Sequence, residues 1–161
     1  MNYFELYGMP ARPVADHTYV SKKYLELQRT YHPDFFTQED ENAKEEALEK
    51  SAVINKAYSI FRNKEKTIAY FLETQGLISE NEKYELPADF LMEMMELNES
   101  LMEEGEADVR KKIEDYHQNL WNEIAPLLDK NEISAPAEME LLKAYYYKKK
   151  YLSRILDRLG D

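Results

Sequence analysis

The residues of this sequence that could do chemistry are few, and the clearest group is His32-Pro33-Asp34. A histidine beside an aspartate could form an acid–base pair, but catalysis would also need a pocket and further convergent groups, which the pattern does not suggest. The three histidines, His17, His32 and His117, lack the paired spacing of a metal site. The sequence has no cysteine for thiolate ligands and no glycine-rich phosphate loop. We therefore predict no enzyme, no metal site and no cofactor.

The motif lies between two stretches with helical periodicity. The upstream stretch has apolar and aromatic residues at i, i+4, i+7 and i+11: Val20, Tyr24, Leu27 and Tyr31. The downstream stretch has a similar face: Ala47, Ser51, Ile54, Tyr58 and Phe61. Pro33 disfavours the α conformation in the preceding residue, so the first helix should stop near His32. We predict an antiparallel helical hairpin that carries His32 and Asp34 at its tip.

Capping residues mark the other helix ends in this half of the chain. Asp16 suits the N-cap of the upstream helix, and Thr37 with Asp40 resembles a capping arrangement for the downstream one. A short apolar helix at 2–8 should be closed by Gly8, and a fourth helix at 67–72 should run to Gly76.

The C-terminal half predicts three antiparallel helices in a small bundle. Their predicted ranges are 90–104, about 106–130 and 137–159. Pro126 should kink or end the second helix near Ile124, and Gly160 should terminate the last. The stretch 73–86 has lost helical periodicity, so we expect it to connect two domains.

Composition supports an all-α protein and limits its partners. The 161 residues include only four glycines, 33% are charged, and the mean hydropathy is −0.72. A net charge of −11 argues against nucleic-acid binding. We see no apolar run long enough to span a bilayer and no signal-peptide pattern, so we expect no membrane contact. The lack of cysteine fits a reducing compartment, and we expect a cytoplasmic protein that is a monomer.

The first helix of the bundle has more apolar surface than one buried face needs. Four residues cluster within about 60° on a helical wheel and suffice for a core stripe: Phe90, Met94, Leu97 and Leu101. Another side combines apolar and acidic residues: Leu91, Met92, Met95 and Met102 with Glu96, Glu99 and Glu103. An exposed patch of this kind is typical of a protein-binding surface. The alternative is that these residues pack against the first domain or the connection.

The first half of the chain resembles the J-domain, which stimulates ATP hydrolysis by DnaK-type chaperones. The resemblance rests on His32-Pro33-Asp34 at the helix turn and on Ile54-Asn55-Lys56-Ala57-Tyr58 in the following helix. It implies that His32, Pro33 and Asp34 contact the chaperone. It further implies that the basic face of the upstream helix takes part, with Lys22, Lys23 and Arg29. An ordinary solvated face is the alternative for these three cations.

The whole chain is similar to HscB-type co-chaperones, which join a J-domain to a three-helix bundle. The segments that carry this similarity are 3–10, 69–72 and 90–97. It implies a J-domain at 1–75, a linker at 76–86 and a three-helix scaffold-binding domain at 87–161. It also implies two partners, the iron–sulfur scaffold protein IscU and a DnaK/HscA-type chaperone.

The resemblance also places the scaffold contacts on particular residues. They are Leu91, Met92, Met95, Glu96, Glu99, Glu103 and an aromatic residue that matches Tyr146. The run 145–147 is all tyrosine, so this register is open by one residue. Phe35 stands where many J-domains carry a basic residue. Two other functions stay open: a general J-domain co-chaperone for unfolded clients, and a helical adaptor with no chaperone partner.

Overall fold

The computed structural model describes residues 1–36 and 41–159, and these ranges contain helices and no strand. The seven helices are α1 (Tyr3–Leu6), α2 (His17–Tyr31), α3 (Glu41–Phe61), α4 (Lys64–Thr74), α5 (Ala88–Glu103), α6 (Glu106–Leu128) and α7 (Pro136–Leu159). A 3₁₀ turn, Pro33–Phe36, follows α2. The predicted all-α class is confirmed. None of the described helices is long and apolar enough to cross a membrane.

The chain divides into two compact units, Met1–Gln75 (unit 1) and Gly76–Asp161 (unit 2). Unit 1 contains α1 to α4, and unit 2 contains α5 to α7. Each unit has its own buried apolar residues, as expected for a helical domain.

Unit 1 is built on an antiparallel hairpin of α2 and α3. The Ser51 hydroxyl donates to Gln28 Oε1 over 3.1 Å, and Gln28 Nε2 donates to Asn55 Oδ1 over 2.8 Å. One turn earlier on α2, the Tyr24 ring stacks on Tyr58 with 4.1 Å between the ring centroids. Residues earlier in α2 therefore lie beside residues later in α3, so the two helices are antiparallel. The predicted hairpin is present, and the buried hydroxyl on its apolar face has a partner.

Aromatic side chains hold the short helix α1 against the rest of unit 1. The ring centroids of Phe4 and Phe61 are 5.2 Å apart, and Tyr7 meets Phe61 edge-on at 5.3 Å. The buried Tyr7 hydroxyl donates to the Ile54 carbonyl oxygen over 2.9 Å. A four-residue helix is too short to be stable alone, so this packing is what keeps it folded.

The helix ends of unit 1 follow the local sequence. The Asp16 side chain accepts hydrogen bonds from two backbone amides and caps α2, as predicted. Helix α2 ends at Tyr31, and His32 is extended with φ −63° and ψ 132°. Gly8 has φ +62°, a left-handed conformation that suits glycine after α1. The capping prediction for Thr37 and Asp40 lies outside the described residues.

Unit 2 buries one face of each of its three helices. The buried residues are Phe90, Met94 and Leu97 of α5, Val109, Ile113, Leu120, Ile124 and Leu128 of α6, and Leu142, Tyr145, Leu152 and Ile155 of α7. Leu101 of the predicted core stripe is only half-buried. The predicted terminator of α7, Gly160, lies outside the described residues.

The sequence predicts that Pro126 either kinks α6 or ends it near Ile124. The helix does not end there. It continues through Pro126 to Leu128. Proline removes one helical hydrogen bond, but only the last turn follows it. Ile124 and Leu128 are both buried, and their packing stabilises that turn.

The non-helical segment before α5 is anchored to α7. Lys143 Nζ donates to Glu82 Oε1 over 2.6 Å, and the Tyr147 hydroxyl donates to Glu82 Oε2. The Tyr84 ring stacks on Tyr147 with 4.4 Å between centroids and planes 6° apart. Two hydrogen bonds lower the pKa of the Glu82 carboxyl: the one from Lys143 has the larger effect and the one from Tyr147 the smaller. The bond between Lys143 and Glu82 also raises the pKa of Lys143.

We expect Tyr7→Phe to destabilise unit 1 by about 1 kcal/mol, because it removes a buried hydroxyl from its carbonyl partner. Hydrogen–deuterium exchange should then be about fivefold faster at the most protected amides of α2 and α3. Tyr31→Phe is the control, since Tyr31 is half-buried in the same unit and its described contact is made by the ring, with Lys50. Equal exchange in the Tyr7→Phe variant and the wild type would contradict the assigned bond.

We expect the Glu82 carboxyl to titrate below the ordinary glutamate value of 4.5. Its contribution to stability is complete above that value and is lost as the pH falls through the lowered folded pKa. Lys143→Met should move the titration upward, as measured by ¹³C NMR of the carboxyl carbon. Lys148→Met, on the same helix, is the control and should leave it in place. An unshifted titration in Lys143→Met would argue against the anchor.

Candidate protein-binding sites

The first candidate site is the tip of the hairpin in unit 1. The Phe35 amide donates to the His32 carbonyl over 3.0 Å and closes the 3₁₀ turn. The Asp34 amide donates to His32 Nδ1 over 3.2 Å, and Nδ1 lies 3.5 Å from Asp34 Oδ2. The Asp34 backbone amide thus holds the imidazole beside the carboxylate.

The tip presents its polar groups to solvent. Both His32 and Asp34 are exposed, and Pro33 between them is half-buried. General acid–base catalysis works best in a pocket that excludes water, whereas an exposed and locally fixed pair suits contact with another protein. Among the described residues, no cluster of three or more histidine or acidic side chains could hold a metal ion.

A basic face lies on α2, before the tip. Lys22 and Arg29 are exposed, whereas Lys23 is half-buried and lies 3.4 Å from Glu26. The structure therefore leaves two of the three predicted cations exposed and pairs the third. Leu25 is also exposed, and on a helical wheel it lies within about 60° of Lys22 and Arg29. This apolar residue is not among the predicted contacts, although its position on the helical wheel places it on the same face.

Phe35 adds an exposed aromatic ring to the tip. It meets the His32 ring edge-on, with 6.2 Å between the centroids and 71° between the planes. The tip therefore carries an apolar ring where many J-domains have a positive charge.

The second candidate site is the outer face of α5 in unit 2. Leu91 is 38% exposed, Met92 64% and Met95 63%. Met94, between them in sequence, is fully buried. Helical periodicity separates the two groups, because successive residues are turned by about 100°. The predicted division of α5 into a core stripe and an exposed apolar patch is present in the structure.

Acidic side chains flank this patch. Glu96, Glu99 and Glu103 are exposed, and α5 contains no basic residue. Glu93 is engaged by Tyr116 of α6: burial and then the hydrogen bond to Glu93 raise the pKa of Tyr116 to about 12. The outer face of α5 is therefore apolar and negative, which favours an apolar partner surface edged with positive charge.

Met102 extends the same face by more than a turn. It is 91% exposed, and on a helical wheel it lies between Leu91 and Met95, within about 20° of each. The family resemblance assigns it no role, but the methionine spacing in the sequence indicates its position.

The tyrosines of α7 differ in their surroundings. Tyr145 is buried and meets Trp121 edge-on at 6.1 Å, and Tyr147 bonds to Glu82. Tyr146 is half-buried, and its described ring contacts, with Tyr147 and Lys150, lie within α7. These surroundings favour Tyr146 over its neighbours as a surface contact. No described contact joins Tyr146 to the α5 patch.

The amino-acid sequence matches known proteins over both units. A family model described as the HSCB C-terminal oligomerisation domain matches residues 86–160. The co-chaperone protein HscB homolog of Psychromonas ingrahamii is 34% identical over 134 residues, which cover 83% of this chain and 79% of that protein. The HscB homolog of Vibrio vulnificus is 38% identical over 104 residues, which cover 64% of this chain and 61% of that protein.

Solved structures agree with this relationship. The crystal structure of human co-chaperone protein HscB matches 99% of this chain and 81% of that chain, with a TM-score of 0.78 and 25% identity. The chaperone HscB from Vibrio cholerae matches 99% of each chain, with a TM-score of 0.60 and 27% identity. The resemblance drawn from the sequence is thereby confirmed, and this chain belongs to the HscB family of co-chaperones.

Proposed function

We propose that this chain is a co-chaperone of iron–sulfur cluster assembly that binds an IscU-type scaffold protein and delivers it to a DnaK/HscA-type chaperone. It stimulates ATP hydrolysis by that chaperone and has no catalytic chemistry of its own. The observation that carries the proposal is the exposure of Leu91, Met92 and Met95 on a helix whose opposite face is buried.

The outer face of α5 holds the scaffold. Burial of Leu91, Met92 and Met95 against a partner supplies the apolar contribution, at about 25 cal/mol per Å². Glu96, Glu99 and Glu103 select and orient a partner that carries positive charge. Tyr146 of α7 adds an aromatic contact, which its half-buried position permits.

The tip of the hairpin engages the chaperone. His32, Pro33 and Asp34 form the contact, and its support is the exposed, backbone-fixed geometry of the turn. Lys22 and Arg29 speed and orient the encounter with an acidic surface of the chaperone, with a smaller share from Lys23 because it is paired with Glu26.

The two sites act together because one chain carries both. We assign the J-domain to 1–75, the linker to 76–86 and the scaffold-binding domain to 87–161. Joining the two binding activities raises the effective concentration of scaffold at the chaperone. We expect the co-chaperone to act as a monomer in the cytoplasm. The family model that matches 86–160 is described as an oligomerisation domain.

His32→Gln should abolish the stimulation of chaperone ATP turnover, because the tip loses its imidazole. Scaffold affinity should stay unchanged. His17→Gln is the matched control, since His17 is an exposed histidine at the opposite end of α2. The measurement is steady-state ATP hydrolysis by a DnaK/HscA-type chaperone, with circular dichroism to verify the fold. Full stimulation by the His32→Gln variant would favour a helical adaptor instead.

Replacing Met92 and Glu96 together with alanine should weaken scaffold binding about 10- to 100-fold, because an apolar and a charged contact are lost from one site. Isothermal titration with an IscU-type scaffold gives the dissociation constant. The control is Leu141→Ala with Glu140→Ala on α7, where both residues are also exposed. Unchanged affinity in the Met92/Glu96 variant would show that the scaffold binds elsewhere.

A further inference from the structure

The exposed methionines of α5 share one face of the helix. Met95 and Met102 lie within about 20° of each other on a helical wheel, and Met92 lies about 60° from Met95. Met102 is 91% exposed, whereas Met94 of the same helix is fully buried. Three thioethers on one helix are therefore open to solvent, and a fourth is shielded by the core.

These thioethers are chemically distinctive in this chain. The sequence has no cysteine, so methionine provides all of its side-chain sulfur. A thioether sulfur attacks one oxygen of hydrogen peroxide, the O–O bond breaks, and the products are a sulfoxide and one molecule of water. The sulfur is oxidised by two electrons and the peroxide is reduced. Neighbouring glutamates do not undergo this reaction.

We propose that Met92, Met95 and Met102 form an oxidation site at which hydrogen peroxide weakens the docking of the α5 partner. Oxidation turns a flexible apolar side chain into a polar one, which opposes burial at an interface. The exposed glutamates are the polar part of this face, and the three methionines with Leu91 are its apolar part. Oxidation of the methionines therefore removes most of the apolar contact surface. The selectivity of oxidation follows from exposure alone, and its effect on binding rests on the proposed function.

The oxidation is reversible, because methionine sulfoxide reductases convert the sulfoxide back to the thioether. It also gives a role to Met102, which the family resemblance leaves unassigned. The residue lies about 16 Å along the helix axis from Leu91, so the apolar row spans about three turns.

The test oxidises the purified full-length chain with hydrogen peroxide, removes the peroxide with catalase, and only then adds an IscU-type scaffold. Peptide mass spectrometry should find sulfoxide at Met92, Met95 and Met102 well before Met94. The dissociation constant should rise about tenfold or more, since three apolar contacts become polar. Treatment with methionine sulfoxide reductases should restore the original affinity. Circular dichroism verifies that the helices persist.

The matched variant replaces Met92, Met95 and Met102 with leucine, which keeps their size and apolar character. It should bind the scaffold when untreated and keep its affinity after peroxide. Met9→Leu is the control, because Met9 is a partly exposed methionine of unit 1. This variant should lose affinity after peroxide as the wild type does.

Three results would overturn the proposal: oxidation of Met94 as fast as the exposed methionines, unchanged affinity of protein that carries all three sulfoxides, or equal loss of affinity in the leucine variant. Failure of the untreated wild type to bind the scaffold is a different outcome. It would overturn the proposed function, and the effect of oxidation on binding with it.

Discussion

A helix in a three-helix bundle can bury only one face, and this constraint shapes the surface of unit 2. Phe90, Met94 and Leu97 occupy the buried face of α5. Further apolar residues on the same helix must therefore meet solvent or another molecule. Glutamates among them keep the exposed face hydrated and negative. The result is an exposed surface whose chemistry is matched to an apolar and basic partner.

In unit 1, packing between the helices supports the turn at the hairpin tip. Aromatic side chains join α1, α3 and α4, and the hydrogen bonds between Gln28, Ser51 and Asn55 align α2 with α3. This framework supports a turn whose backbone hydrogen bonds hold His32 beside Asp34. A small polar site at the surface can be well defined only when the helices beneath it do not move.

The two surfaces differ in charge. The outer face of α5 is acidic, whereas the exposed cations of α2 lie before the tip. Two partners with opposite surface charge can therefore be distinguished by one acidic protein. The segment before α5 belongs to unit 2, because the bonds of Glu82 attach it to α7. A sequence that reads as a connection can thus be partly ordered by side chains that lie far along the chain.

Local interactions were predictable from the sequence, which by itself determined the helical class, the cap at Asp16, the end of α2 before Pro33 and the two faces of α5. Each depends on residues within one or two helical turns. Only the tertiary structure decided that α6 continues through Pro126 and that Leu128 and Ile155 are buried. Those outcomes depend on which side chains of other helices lie opposite, and helical periodicity carries no information about a neighbour.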